Sequence, residues 1–195
     1  MSLTLVIVRH GESYSNLIDS DAIYVDKNTG LTMVGKTQAI EAGIKIKKMN
    51  KKFDAVYSSP YERAKETCYI ALEAAGMKGT KVVLSPCLVE RNYYKLEGMS
   101  IRNNCNLLQA LSYGELQKHI EDIQPNTISL FDKIESYECE KARFRRFMRE
   151  VRKKYKNGTI LIFTHGLFEQ AIYKFYIGER PELLENGGIR VIAVR

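Results

Sequence analysis

Short, near-continuous apolar runs recur along the chain: LTLVIV (3–8), FDAVYS (53–58), KVVLS (81–85), TILIFT (159–164) and IRVIAV (189–194). Rich in Val, Ile and aromatic residues, they read as strands. Runs such as LVIV and LIF suit a sheet covered on both faces. Between them, helical patterns lie near 33–50, 60–76, 113–123, 137–156 and 166–177. In the fourth of these, Phe144, Phe147, Met148, Val151 and Tyr155 form one inward stripe. Alternating β and α predicts an α/β sandwich with a largely parallel sheet. No repeat, low-complexity tract or linker interrupts the pattern, so residues 1–195 read as one domain. Residues 92–136 carry few periodic signals and read as a partly helical, cap-like excursion over one face of the sheet.

Two helix starts stand out. Thr32 is a suitable N-cap for the first long helix. In SSPYERAKET, Ser59 is placed to cap, Pro60 falls at the first helical position and Glu62 at the third, the pattern of a capping box. Arg63 then lies in the first turn, beside backbone N–H groups that lack helical partners, a natural place for an anion.

Composition narrows the picture only modestly. The chain has 195 residues, 45% hydrophobic and 27% charged, enough for one compact domain. No apolar run approaches the roughly 18 residues of a membrane span, and MSLTLVIV lacks the basic leader of a signal peptide. Cys68, Cys87, Cys105 and Cys139 are scattered without CxxC or metal-ligand spacing, so reduced thiols and a cytoplasmic location are expected. The net charge of +7 admits an anionic partner. Much of it sits in KARFRRFMREVRKKYK (141–156), on faces other than the apolar stripe. No aromatic residues interleave there, so neither nucleic acid nor a membrane is the expected partner. Cys139 and Arg145 have Cys-x5-Arg spacing, but the intervening EKARF is helical and glycine-free and makes no cradle of backbone N–H groups.

Chemistry concentrates at strand ends. His10 and His165 each follow an apolar strand and precede a glycine, in VRHG and FTHG, whereas His119 sits in an ordinary amphipathic helix. Ligands of open α/β sheets bind beyond the carboxyl ends of strands, so the two histidines are expected to share a pocket. Arg9 and Arg63 join them if the strand ending at Ser58 is a neighbour. Two guanidiniums and two imidazoles suit a phosphoryl group and the charge that develops during its transfer. A neutral imidazole can attack phosphorus and give a phosphohistidine. A proton donor for the leaving oxygen is also needed. Glu90, after the third strand, is in reach, and Glu12 and Glu97 compete with it on chemistry alone. Gly11 is expected to remove bulk where backbone approaches the anion.

In order, the chain carries VRHGES, LTMVGKTQA, YSSPYERAKET, VERNYYKLEG and LIFTHG. Together these segments resemble the histidine phosphatase superfamily, in the phosphoglycerate mutase-like branch. The resemblance covers most of the chain except roughly 98–130. It implies a three-layer α/β/α sandwich with a mixed, mostly parallel sheet, and no metal. It also implies that His10 is the phosphorylated nucleophile, that Arg9, Arg63 and His165 complete the phosphate pocket, and that Glu90 donates the proton. Asn16 matches a position that often contacts phosphate. The implied partner is a small phosphorylated metabolite, and a monomer and a dimer are both compatible.

Within that branch the features divide. ERNYYKLEG matches the mutase pattern Glu-Arg-His-Tyr-Gly-x-Leu-x-Gly at Glu90, Arg91, Tyr93, Leu96 and Gly98. In mutases the equivalents of Arg91 and Tyr93 help hold the substrate's carboxylate and phosphate. Where mutases read His-Gly-Asn-Ser-x-Arg, however, this chain has HGLFEQ. It also has a shorter middle, and the last strand is not followed by the mutase tail. RHGESYSNLIDSDAIYVD, ESY at 135–137, THGL and ENGGIRVI resemble a small subgroup of phosphatases. The expectation is a metal-independent phosphomonoester phosphatase without a cofactor. The alternative is a mutase-type phosphotransferase, which would use 2,3-bisphosphoglycerate. A non-catalytic phospho-ligand binding module is disfavoured, because every expected pocket residue is present.

Overall fold

A computed structural model describes residues 2–17, 29–91 and 135–194. Its elements are β1 (Leu3–Arg9), α1 (Tyr14–Leu17), α2 (Met33–Lys48), β2 (Ala55–Ser58), α3 (Glu62–Ala74), β3 (Val82–Leu84), a 3-10 turn (Pro86–Leu88), α4 (Tyr137–Lys154), β4 (Gly158–Thr164), α5 (Gly166–Ile177) and β5 (Ile189–Val194). The helix expected at 113–123, nearly all of the excursion at 92–136, and Tyr93 and His119 lie outside the described residues.

The five strands order as β3-β2-β4-β1-β5. Four run parallel, and β5 pairs antiparallel with β1, giving the mixed, mostly parallel sheet that was expected. Side chains alternate between the two faces. Leu3, Leu5, Ile7, Ile160 and Ile162 pack with Phe144, Phe147, Met148 and Val151 of α4 and Phe168 and Ile172 of α5. Val6, Val8, Leu161 and Phe163 pack with Ala42 and Ile46 of α2 and Cys68, Ala71 and Leu72 of α3. Among the described residues two long helices on each face make three layers, and burial on both sides explains why these strands are apolar throughout. Among the described residues no helix is long and apolar enough to cross a membrane.

Local chemistry sets the helix starts. Thr32 caps α2, its hydroxyl accepting from the Gly35 N–H at 3.0 Å. Ser136 caps α4 by accepting from the Cys139 N–H. The start expected at Pro60 is different: α3 begins at Glu62 after Tyr61, whose side chain forms no cap bond. Ser59 is drawn away by a tertiary partner, the ring of His165, and receives only the Tyr61 N–H locally.

Gly11 makes room for a close contact within the chain itself. A Cβ there would collide with the backbone of Gly35, and a Cβ on Gly35 would collide with the Glu12 carbonyl. The paired glycines let the chain after β1 lie directly on the first turn of α2. That turn is further fastened by the Thr32 N–H donating to the Glu12 carbonyl at 3.0 Å.

Candidate active site

The order β2-β4-β1 puts three strand ends side by side. Arg9 is in register with Thr164, and Ser58 with Phe163. The residues immediately beyond them are His10, His165 and Ser59, and α3 then delivers Arg63. The two imidazole centroids are 5.1 Å apart in an edge-on arrangement, and both residues are buried.

The tautomer of His10 follows from its neighbours. Its Nδ1 lies 2.7 Å from the Gly11 carbonyl, which only accepts, so Nδ1 carries the proton. Nε2 is left as the basic nitrogen, and Arg63 Nε donates to it at 3.2 Å. Burial, and then the charges of Arg63 and Arg9, hold the His10 pKa well below the usual histidine value, outweighing the Gly11 carbonyl. The ring is therefore neutral at physiological pH.

His165 occupies the N-cap position of α5. Its Nε2 shares a hydrogen bond with Ser59 Oγ at 2.8 Å, while its buried Nδ1 has no hydrogen-bond partner among the described residues. Burial, Arg63 and then His10 depress its pKa as well. Tyr61 closes one side of the pair, edge-on to His165 at 5.3 Å and 5.1 Å below the Arg63 guanidinium. Arg63 is fully buried, and the Thr67 hydroxyl ties the Arg63 carbonyl at 2.6 Å to the Gly11 N–H at 3.0 Å.

Arg9 leaves the end of β1 and donates from Nη1 to the Leu184 carbonyl. Its path explains the glycine of FTHG: a Cβ on Gly166 would stand 3.0 Å from Arg9 Nε and 2.8 Å from Leu183. Any larger residue there would push against the guanidinium.

Glu90 reaches the site through α5. Its carboxylate accepts from the N–H groups of Leu167 at 3.1 Å and Phe168 at 2.9 Å, and from that of Arg91 at 2.8 Å. It thus sits at the positive end of the helix that His165 begins. The segment carrying it is held by Arg143, which donates to the carbonyls of Cys87, Val89 and Glu90. Arg143 also pairs with Glu135 at 2.6 Å and lies 3.8 Å over the Phe168 ring.

Other sequence candidates are engaged elsewhere. Arg91 forms a two-pronged ion pair with Glu140 of α4, at 3.2 and 2.7 Å. Glu12 accepts the Thr32 hydroxyl at 2.7 Å. Asn16 is exposed, and its side-chain oxygen accepts from the Ser13 N–H and hydroxyl. Tyr93 and Glu97 are outside the described residues.

A family model described as the histidine phosphatase superfamily, branch 1, matches residues 5–194. The chain belongs to the histidine phosphatase superfamily. Within it, the chain is 40% identical over 100 residues to a 2,3-bisphosphoglycerate-dependent phosphoglycerate mutase of Bartonella henselae, covering 51% of this chain and 48% of that protein. It is 37% identical over 120 residues to the mutase of the same name in Brucella ovis, covering 62% and 55%. The chain thus spans about half the length of the relatives it matches. Among solved folds, the phosphoglycerate mutase of Bacillus anthracis superposes with a TM-score of 0.78 at 21% identity, over 100% of this chain and 88% of that one. A mycobacterial glucosyl-3-phosphoglycerate phosphatase superposes at 0.70 and 17%, over 99% and 91%. These superpositions establish the phosphoglycerate mutase-like fold.

Sequence reasoning on this member of the superfamily missed Ser59 as the partner of His165, Arg143 as the anchor of the Glu90 segment, and two buried carboxylates. Glu140 and Glu169 are both fully buried. Glu169 lies 2.5 Å from Arg190 on β5, and burial raises its pKa to about 7 despite that partner. A signal for Glu140 was present. It stands four residues before Phe144, on the apolar stripe itself, where a carboxylate implies a buried cation partner.

Proposed function

We propose that this protein is a metal-independent phosphomonoester phosphatase that works through a phosphohistidine on His10, with a small phosphorylated metabolite as substrate and no cofactor. The single observation that carries this reading is the state of His10: a neutral ring, protonated at Nδ1, with Nε2 facing the buried Arg63 guanidinium. A nitrogen lone pair beside a cation is ready to meet an anionic phosphoryl group.

In the first step Nε2 attacks phosphorus and the bond to the ester oxygen breaks. Glu90 is the proposed donor of the proton that this oxygen takes as the alcohol departs. In the second, the Glu90 carboxylate takes a proton from water, the water oxygen attacks phosphorus, and the bond to Nε2 breaks to release phosphate. Arg9, Arg63 and His165 hold the equatorial oxygens while charge spreads over them. The Nδ1 of His165, without a hydrogen-bond partner among the described residues, supplies one such contact when it carries the proton. Asn16 and Tyr93 are the remaining candidates for substrate contact.

Resemblance to the mutases supports a second reading, a mutase-type phosphotransferase using 2,3-bisphosphoglycerate. The Arg91–Glu140 pair favours hydrolysis, because the guanidinium that would hold a substrate carboxylate already holds one from α4.

The deciding experiment supplies a chromogenic phosphomonoester in the presence of EDTA, and then 3-phosphoglycerate with a trace of 2,3-bisphosphoglycerate. Hydrolysis that disappears in His10→Ala, with free phosphate accumulating in the second assay, supports the proposal. Activity that survives His10→Ala overturns it, and accumulation of 2-phosphoglycerate favours the mutase.

A further inference from the structure

A groove of about 580 Å³ lies between the outer faces of α4 and α5. Arg145, Arg149, Arg152, Lys153 and Lys156 line it, together with Met148, Phe175 and Tyr176. Arg145, Arg149, Arg152 and Lys153 fall at i, i+4, i+7 and i+8, a single stripe about 12 Å long at 1.5 Å per residue. Among the described residues no acid lines it.

This stripe exceeds what the helix needs. Favourable interaction with the helix dipole is confined to the last turn, which here contains Arg152, Lys153 and Lys154. Lys153 is already paired with Glu150 at 2.8 Å, but Arg145 and Arg149 lie outside that turn, and like charges at i,i+4 disfavour the helix. An anion seated in the groove reverses that repulsion.

The aromatic wall comes from the other helix. Phe175 and Tyr176 are edge-on to each other at 4.9 Å and are each braced on Phe144, at 5.8 and 5.9 Å. Arg145 already lies 5.3 Å from the Phe175 ring centre. The basic side of α4 carries no aromatic residue of its own, and the fold brings two there from α5. The groove is also remote from the strand ends. His165 begins α5, and Phe175 is ten residues further on, about 15 Å along the axis.

We propose that this groove binds a nucleoside di- or triphosphate, with its phosphates on Arg145, Arg149 and Arg152 and its base against Phe175 and Tyr176. Forked guanidiniums match phosphate oxygens, and half-buried rings offer a surface to a base. The volume falls within the range of small-molecule sites, and the stripe is short enough for one nucleotide. The inference does not depend on the reaction at His10.

The test is a calorimetric titration of the full chain with β,γ-methylene-ATP. Excess inorganic phosphate is present throughout to fill the pocket at Arg9 and Arg63. Saturable binding is expected, weaker by about tenfold in Arg149→Ala, the loss of one charged phosphate contact. It should be abolished in Arg145→Ala/Arg149→Ala, with turnover of the chromogenic ester unchanged in both variants. Absence of binding, or equal affinity in the wild type and Arg149→Ala, overturns the proposal. So does equal affinity for tripolyphosphate, which would leave the rings without a role. Tighter binding of an oligothymidylate overturns it in favour of a nucleic-acid surface.

Discussion

The Nε of Arg63 donates to the Nε2 of His10 across 3.2 Å, both groups sealed from solvent. The guanidinium thus rests on the atom proposed to attack phosphorus and must exchange that nitrogen for phosphate oxygens when substrate arrives. Arg63→Ala should lower kcat/KM by about 10²–10³-fold, as when one preorganised donor is removed from a developing charge. Arg63→Lys should recover little, because an ammonium has no second prong for phosphate. Steady-state kinetics on a chromogenic ester measure both.

The same contact shapes the pH dependence. His10 and His165 are held well below 6.5, first by burial and then by Arg63. If His10 is the nucleophile, as proposed, it must be neutral to attack, and the acid limb of kcat/KM should fall below pH 6.5. Arg63→Ala should move it upward. For stability the sign follows from linkage: below 6.5 the unfolded chain binds protons that the folded chain refuses. The two rings therefore contribute a loss of stability as pH falls through that value.

Ser59→Ala removes the hydroxyl that meets His165 Nε2 at 2.8 Å. The ring loses its orienting partner, and a buried nitrogen is left unpaired, at a cost of about 1–3 kcal/mol. Roughly tenfold lower kcat should accompany a lower urea midpoint, and Ser59→Thr should restore most of both. Unchanged kcat in Ser59→Ala would exclude a positioning role.

Glu169 runs opposite to the histidines. Its carboxyl is raised from 4.5 to about 7, chiefly by burial. Between those values the folded chain holds a proton that the unfolded chain has lost. This residue's contribution to stability is thus full at low pH and declines as pH rises through about 4.5 to 7. Glu169→Gln should flatten that decline, seen as denaturation midpoints that differ less between about pH 5 and pH 8.

Gly35→Ala tests the tight approach below the site. Its Cβ would collide with the Glu12 carbonyl, and backbone has little room to yield. Overpacking of this kind costs about 1–3 kcal/mol. Melting should drop by several degrees, while the neighbouring exposed substitution Met33→Ala should change little.

The meeting of His10, Arg63 and His165 was legible because it depends on chain-local facts: where apolar strands stop, and which residue comes next. Strand order then does the rest. What stayed hidden depends on partners distant in sequence. Ser59 looked like a helix cap because local rules weigh only the next three residues, whereas its hydroxyl faces a ring 106 positions away. Gly11 shows by its identity only that space is needed, not that Gly35 needs it. Arg143 falls outside the apolar stripe of α4 in the sequence pattern, yet its long side chain turns inward to the carbonyls of Cys87, Val89 and Glu90.

The proton on His10 Nδ1 is held by the carbonyl of Gly11, a group of the main chain. No exchange of one side chain for another deletes that oxygen. The direction in which the imidazole presents its lone pair is therefore insulated from mutation, while the cations around it remain open to change. Removing that oxygen selectively would take chemical synthesis, for example a thioamide at that one peptide link.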